Sequence, residues 1–375
     1  MSDVTGLELR SMVDAEGKLT LSLEEVTHGA PADDEVVVRI EAAPINPSDL
    51  GLLLGPADVT TLEEVGTSER PALRFQVQAA RIGGVRARIG QSLPVGNEGA
   101  GTVLAAGTQG QDLIGRKVGM IGGAMFAQYR TIKLRDVVPL PEGATAADGA
   151  AMFVNPLTAL AFVETTRMEG HKAIVHTAAA SNLGQMLQRI CLADGIPLVN
   201  IVRSPEQAAI LRGIGATHVL NSKDDDFRTR LADACAEVGA TIAFDAIGGG
   251  SLGSDILQAM EQAANRTAAE YSRYGSNTFK QLYVYGALDT GPTTLNRLAF
   301  GFQWSVEGFL LFPWLQKAGA EVAGRMRRRI ADELTTTFAS NYTATIGLHE
   351  ALSPDVLRAY ERKATGEKYL IDPTR

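Results

Sequence analysis

HTAAASNLGQ, residues 176–185, is the stretch on which the reading of this chain turns. The short apolar run KAIVHT (172–177) precedes it and reads as a strand. Leu183, Met186, Leu187, Ile190 and Cys191 follow at helical spacing, and Gly195 is placed to end that helix. A strand, a tight turn and a helix are the setting of a dinucleotide-binding loop. Such a loop carries three glycines: one for the turn, one for close approach to the pyrophosphate, one for helix–strand packing. Here the three positions hold Ala179, Ser181 and Gly184, so only the third is glycine. Ala and Ser are the smallest substitutes and serve wherever the backbone needs no positive φ. Ser181 and Asn182 also offer donors beside the helix N-terminus, where anions bind. The same residues also suit an ordinary strand–helix turn.

Reading outward, the strand–helix alternation continues. PLVNIV (197–202) is a second strand, and Ser204-Pro205-Glu206-Gln207 opens a helix with a cap and an early proline. HVLN (218–221), TIAFDAI (241–247) and QLYVYG (281–286) supply further strands. This βαβ texture predicts a doubly wound, mostly parallel sheet with right-handed crossovers. The end of the second strand selects the dinucleotide. An acidic residue there would hold the ribose hydroxyls of NAD, whereas an arginine suits the 2′-phosphate of NADPH. The chain reads NIVRSPE, with Arg203 at the strand end and Glu206 three residues beyond. Arg203 therefore points to NADPH; a solvated surface arginine is the other reading.

The N-terminal part is built differently. KLTLSLEEV alternates at Leu19, Leu21 and Leu23, and DEVVVRIEAAPIN is a β-branched run. Residues 93–140 are short strands broken by glycine and proline, as in an irregular barrel. Residues 51–92 read as an excursion with five arginines between Arg70 and Arg88, either solvated or forming a lip over an anionic ligand. The expected domains are 1–154 with 337–375, an irregular β domain, and 155–336, a cofactor domain.

Composition narrows the function. The chain has 375 residues, 45% hydrophobic and 21% charged, with a formal net charge of −8. That balance supplies no overall positive field for nucleic acid. Cys191 and Cys235 are the only cysteines, too few for a four-cysteine zinc site and without CxxC spacing. The start has no signal-peptide core, and no apolar run approaches a membrane span. A cytoplasmic, reducing location is expected, with neither a membrane nor a nucleic acid as partner.

Several motifs occur in one order: PINPSDL (44–50), PVGNEGAG (94–101), FAQY (126–129), VNPLTAL (154–160), AAASNLG (178–184), FDAIGG (244–249), VYG (284–286) and KATGEKYLI (363–371). Together they resemble the medium-chain dehydrogenase/reductase superfamily from about residue 18 to the end, apart from 51–92. The resemblance implies an α/β protein with a GroES-like irregular β-barrel domain and a Rossmann domain. Zinc alcohol dehydrogenases of that superfamily carry Cys and His where this chain has Asn46 and Asn97. The chain is thus similar to the zinc-independent branch, the quinone oxidoreductases and 2-enoyl thioester reductases. The enoyl reductases place a catalytic tyrosine soon after NPSD; here LLLGPADV follows and no tyrosine occurs until Tyr129.

The resemblance implies an NADPH-dependent reductase of a quinone or an α,β-unsaturated carbonyl, with an enoyl thioester as the alternative acceptor. Such acceptors spread the incoming charge themselves, so hydride transfer needs no Lewis acid, only a placed cofactor and a few donors. An NADPH-binding protein with an interaction or RNA-binding role, without turnover, is the alternative of another class. The matching positions nominate Asn46 to orient nicotinamide or acceptor and Tyr129 as a proton donor. For the cofactor they nominate Thr158, Ala179, Ser181, Asn182, Leu183, Gly184, Arg203, Asn221, Ile247, Tyr285, Gly286 and Lys363. A homodimer through the cofactor domains is implied by the same analogy.

Overall fold

A computed structural model describes residues 3–362 and 368–375. The chain divides into two compact units, Met1–Val154 with Ala331–Arg375, and Asn155–Ile330.

The first unit is built of antiparallel sheet with one parallel edge pair. One five-stranded sheet runs in the order Ala57–Glu64, Ala72–Val77, Lys18–His28, Val4–Val13, Ser92–Pro94. Its register explains its core. Leu19, Leu21 and Leu23 stand opposite Val13, Ser11 and Leu9, and every one of these is buried. The second sheet runs Val137–Pro139, Lys117–Ile121, Glu98–Ala106, Glu35–Pro44, Tyr369–Ile371, Ala344–Ile346, with Tyr129–Lys133 also paired to Glu35–Pro44. Tyr369–Ile371 and Ala344–Ile346 form the parallel pair.

The stretch 51–92 departs from the expected excursion. Ala57–Glu64 and Ala72–Val77 form a hairpin that extends the first sheet, with Phe75 opposite Leu19 and Leu73 opposite Leu21. Leu73, Phe75 and Val77 are buried at period two. The arginines interleaved with them conceal this pattern in the sequence. Two of those arginines are spent within the unit. Arg70 pairs with Glu25 at 2.7 Å, and Arg88 donates to the Leu52 carbonyl at 3.1 Å and to Ser11 Oγ at 2.8 Å.

The second unit holds a six-stranded parallel sheet. It includes α1 (Val154–Met168, whose first residue lies in the first unit), β1 (Ile174–His176), α2 (Asn182–Asp194), β2 (Leu198–Val202), α3 (Pro205–Gly213), β3 (His218–Asn221), α4 (Phe227–Val238), β4 (Ile242–Asp245), α5 (Leu252–Arg266), β5 (Lys280–Val284) and β6 (Trp304–Gly308). The strand order is 3-2-1-4-5-6, and every pairing is parallel. This is the Rossmann order, which reverses direction between β1 and β4. Both faces are covered, so β1, β2 and β4 are buried throughout and read as apolar runs broken by His176, Asn200 and Asp245. α2 stops at Gly195 in the left-handed region, φ 67°, and α3 starts at Ser204, whose hydroxyl accepts from the Gln207 N–H at 3.3 Å. Among the described residues, no helix is long and apolar enough to cross a membrane.

Candidate functional site

In such a sheet, ligands bind beyond the carboxyl ends of the strands where the order reverses. The turn leaving β1 occupies that place. Ser181 caps α2, its hydroxyl oxygen accepting from the Gly184 N–H at 3.2 Å, which leaves its own O–H to donate elsewhere. Ala179 and Ser181 both keep negative φ; the left-handed residue is Ala178, at φ 47°. Gly184 admits no side chain, because a Cβ there would lie 2.1 Å from the Ala179 carbonyl oxygen. Of the remaining loop residues, Leu183 is buried and Asn182 half-buried at the first turn of α2.

The carboxyl end of β4 is tied to the same turn. The Thr177 hydroxyl donates to Asp245 Oδ1 at 2.6 Å, and the Ala246 N–H donates to Thr177 Oγ1 at 2.8 Å. The Ile247 and Gly248 N–H groups donate to the Asp245 carboxylate at 2.9 and 3.0 Å. Gly286 passes so close that a Cβ on it would stand 2.6 Å from the Ala246 carbonyl oxygen. Arg203 is exposed directly after β2, its backbone N–H donating to Gln207 Oε1 at 3.0 Å. Glu206 is hydrogen-bonded to Ser204, which holds its carboxyl below the usual range. Asn221, at the end of β3, donates one amide hydrogen to Asp224 Oδ1 at 2.9 Å and accepts from the Lys223 N–H at 3.1 Å, which fixes its side chain on its own turn.

Tyr285 follows β5, and its hydroxyl lies 2.8 Å from His176 Nε2 at the end of β1. Thr158 is buried in α1, four residues before Phe162, whose ring centroid is 4.8 Å from that of Tyr285. Burial pushes the His176 imidazole down to about 3, so the ring is neutral.

The first unit holds a separate polar cluster. The Asn46 side-chain amide donates to Glu98 Oε1 at 2.8 Å, and Glu98 Oε2 accepts from the Phe153 and Val154 N–H groups, each at 2.9 Å. Asp49 accepts from the backbone N–H of Asn46 at 2.7 Å and of Asn97 at 2.8 Å. Burial lifts the Asp49 carboxyl to about 7 and raises that of Glu98. Lys368, electrostatically coupled to both, is pushed down to about 8 by burial. Its Nζ is shut off from solvent, has no hydrogen-bond partner among the described residues, and stands 5.4 Å from the centroid of Tyr342. Asp49, Glu98 and Lys368 were not singled out in the sequence. A carboxylate and a lysine inside short apolar motifs, NPSD, GNEG and EKYLI, were the available signals.

Tyr129 is half-buried at the start of its strand, its ring packed over Gly6, where it fills the space a side chain would need. Lys363 lies outside the described residues. Among the described residues, no group of three or more His, Cys, Asp or Glu is placed to hold a metal ion.

A two-unit chain of this kind, an irregular β domain and a 3-2-1-4-5-6 sheet with a phosphate-type turn, has clear relatives. The profile of the zinc-binding dehydrogenase family matches residues 183–267, within the second unit. The mitochondrial enoyl-[acyl-carrier-protein] reductase of Xenopus tropicalis is 29% identical over 222 residues, 55% of this chain and 52% of that protein. A Leishmania amazonensis protein assigned as a quinone oxidoreductase is 26% identical over 219 residues, 58% and 62% of the two chains. The chain thus spans about half to three-fifths of the length of these curated relatives. A Mesorhizobium loti protein assigned as an NADPH:quinone reductase superposes with a TM-score of 0.72 at 27% identity, covering 100% of this chain and 99% of its own. The chain is thus similar in sequence to quinone oxidoreductases and enoyl reductases, the zinc-independent relatives in the medium-chain dehydrogenase/reductase superfamily, and shares its fold along its whole length with the Mesorhizobium loti protein.

Proposed function

We propose that this chain is an NADPH-dependent oxidoreductase that reduces a quinone or an α,β-unsaturated carbonyl without zinc. The observation that carries the reading is the pairing of the β1–α2 turn with Arg203. Gly184, Ser181 and the α2 N-terminus make the anion-binding turn, and an exposed guanidinium ends β2 while the nearby Glu206 is bonded to Ser204. An arginine at that position matches a 2′-phosphate, which it meets with paired N–H donors. When bound, NADPH supplies the hydride.

The chain's own residues then have definite tasks. The Ser181 hydroxyl and the positive N-terminal end of α2 hold the pyrophosphate, with Asn182 beside them. Ile247 and Gly286, fixed by Asp245 and by backbone packing, line the second half of the cofactor site. Asn46, in the position of a zinc-ligating cysteine in related dehydrogenases, has one amide hydrogen committed to buried Glu98. Its orientation is thereby set before any acceptor arrives, which is the preorganisation a polar site needs. The acceptor itself takes up the charge that a metal would stabilise elsewhere.

An enoyl thioester is the second acceptor class, favoured by the likeness to the Xenopus tropicalis enzyme. We also propose a cytoplasmic homodimer. The β6 edge strand and the exposed Leu298, Phe302, Leu310 and Phe312 near it support association through the second unit. The decisive experiment mixes the purified chain with NADPH and a panel of quinones, enones and enoyl thioesters while following nicotinamide absorbance. Acceptor-dependent oxidation with one class is expected. NADPH binding with no turnover across the panel would favour the non-enzymatic alternative.

A further inference from the structure

His176 is fully buried, and its two ring nitrogens are treated differently by the fold. Nε2 faces the Tyr285 hydroxyl at 2.8 Å; Nδ1 is shut off from solvent and has no hydrogen-bond partner among the described residues. The two rings are nearly parallel, 12° apart, with centroids 5.8 Å from one another, and Phe162 packs against both, 4.8 Å from Tyr285 and 6.0 Å from His176. A neutral imidazole carries one N–H. If that hydrogen sat on Nδ1, a buried donor would be orphaned, the rarer and costlier defect. On Nε2 it has an acceptor, the Tyr285 oxygen. That oxygen then receives a hydrogen bond, and its own O–H must turn away from His176.

The place of Tyr285 says what this hydroxyl meets. The β1–α2 turn and Arg203 belong to the first βαβ half of the sheet, which takes the adenosine side of a dinucleotide. Tyr285 leaves β5, in the second half, where the other nucleoside lies. Resting on the NADPH reading above, we propose that His176, donating from Nε2, aims the Tyr285 O–H at the carboxamide carbonyl of a bound nicotinamide. His176 is thus a positioning residue and Tyr285 a binding residue for the reactive ring. Burial and the nearby Asp245 raise the Tyr285 phenol far above its usual range. It therefore keeps its proton, which suits a steady hydrogen bond to a neutral amide rather than proton delivery to the acceptor.

The test compares two ligands by equilibrium titration, NADPH and 2′-phospho-ADP-ribose, the latter lacking the nicotinamide. In Tyr285→Phe, NADPH affinity is expected to fall about tenfold, the size of one lost hydrogen bond, with 2′-phospho-ADP-ribose affinity unchanged. His176→Gln, which restores an N–H donor, should lie nearer the wild type than His176→Leu on the same ratio. Equal changes for both ligands, or none, in a folded Tyr285→Phe overturn the inference while leaving the NADPH reading intact. Absence of NADPH binding by the wild-type chain overturns that reading and this inference with it.

Discussion

The Ala179 carbonyl oxygen stands 2.1 Å from the place a Cβ on Gly184 would occupy, so the start of α2 rests directly on the turn that follows β1. Five residues apart, the two positions define how closely helix and strand approach. The left-handed φ in the same loop belongs to Ala178, an L-residue held where glycine is at ease. Opposite responses follow. Gly184→Ala must move backbone, and is expected to cost about 1–3 kcal/mol as overpacking does. Ala178→Gly relieves about 1–2 kcal/mol of left-handed strain and gives back about 0.5–1 in chain entropy, so it should be neutral or slightly stabilising. Urea denaturation of the two variants checks this; a Gly184→Ala midpoint equal to the wild type would refute the close packing.

Arg203 offers a test of cofactor choice. Its side chain is exposed, with its backbone fixed by Gln207, so replacing it disturbs little else. Arg203→Ala should weaken NADPH by roughly tenfold to a hundredfold, the range of a charged hydrogen bond, and leave NADH almost unchanged. Fluorescence titration with both nucleotides measures the ratio. A wild type that binds both equally, or a variant that loses both equally, would remove the phosphate-reading role.

How much of this was legible depended on the range of the interactions. Leu19, Leu21 and Leu23 announce a strand because their period is local, and KAIVHT with its helix announces the second unit for the same reason. Leu73, Phe75 and Val77 have the same period, yet Arg70, Arg74 and Arg81 around them suggest solvent. Only the partner strand Lys18–His28 shows that the stretch is core. The polar cluster of the first unit lay beyond any local pattern. Asp49, Glu98 and Lys368 are distant in sequence, and each is buried because separate segments converge.

Another buried charge predicts a stability effect remote from the cofactor turn. Lys280, fully buried at the start of β5, is ion-paired with Glu261 of α5. Glu261 also accepts from the Ser276 N–H at 2.7 Å and the Ser276 hydroxyl at 2.6 Å, so the pair anchors the connection into β5. Removing one partner of a buried pair leaves the other uncompensated. Lys280→Met should therefore cost about 3–5 kcal/mol, and adding Glu261→Leu should recover a large part of it. A double-mutant cycle by urea denaturation reads both values. Strict additivity of the two single changes would contradict the coupling.

The cluster around Lys368 should leave a mark on stability as a function of pH. Burial holds the Asp49 carboxyl at about 7, above its ordinary 3.8. Between those values the folded chain binds the extra proton, so the Asp49 contribution is full below about 4 and is lost as pH rises through about 7. Lys368 runs the other way, held at about 8 against an ordinary 10.5. There the unfolded chain binds the extra proton, so its contribution is full above about 10.5 and is lost as pH falls through about 8. Both contributions are then smallest near neutrality, where the ions are all present and all buried. Lys368→Met removes one limb: relative to the wild type, its stability should no longer rise between pH 8 and 10. Asp49 and Glu98 remain, and without the cation their protonation should persist to higher pH, which steepens the loss toward neutrality. Urea midpoints at pH 5, 7.5 and 9.5 distinguish the cases, and parallel curves for the two proteins would show that the lysine does not titrate with folding.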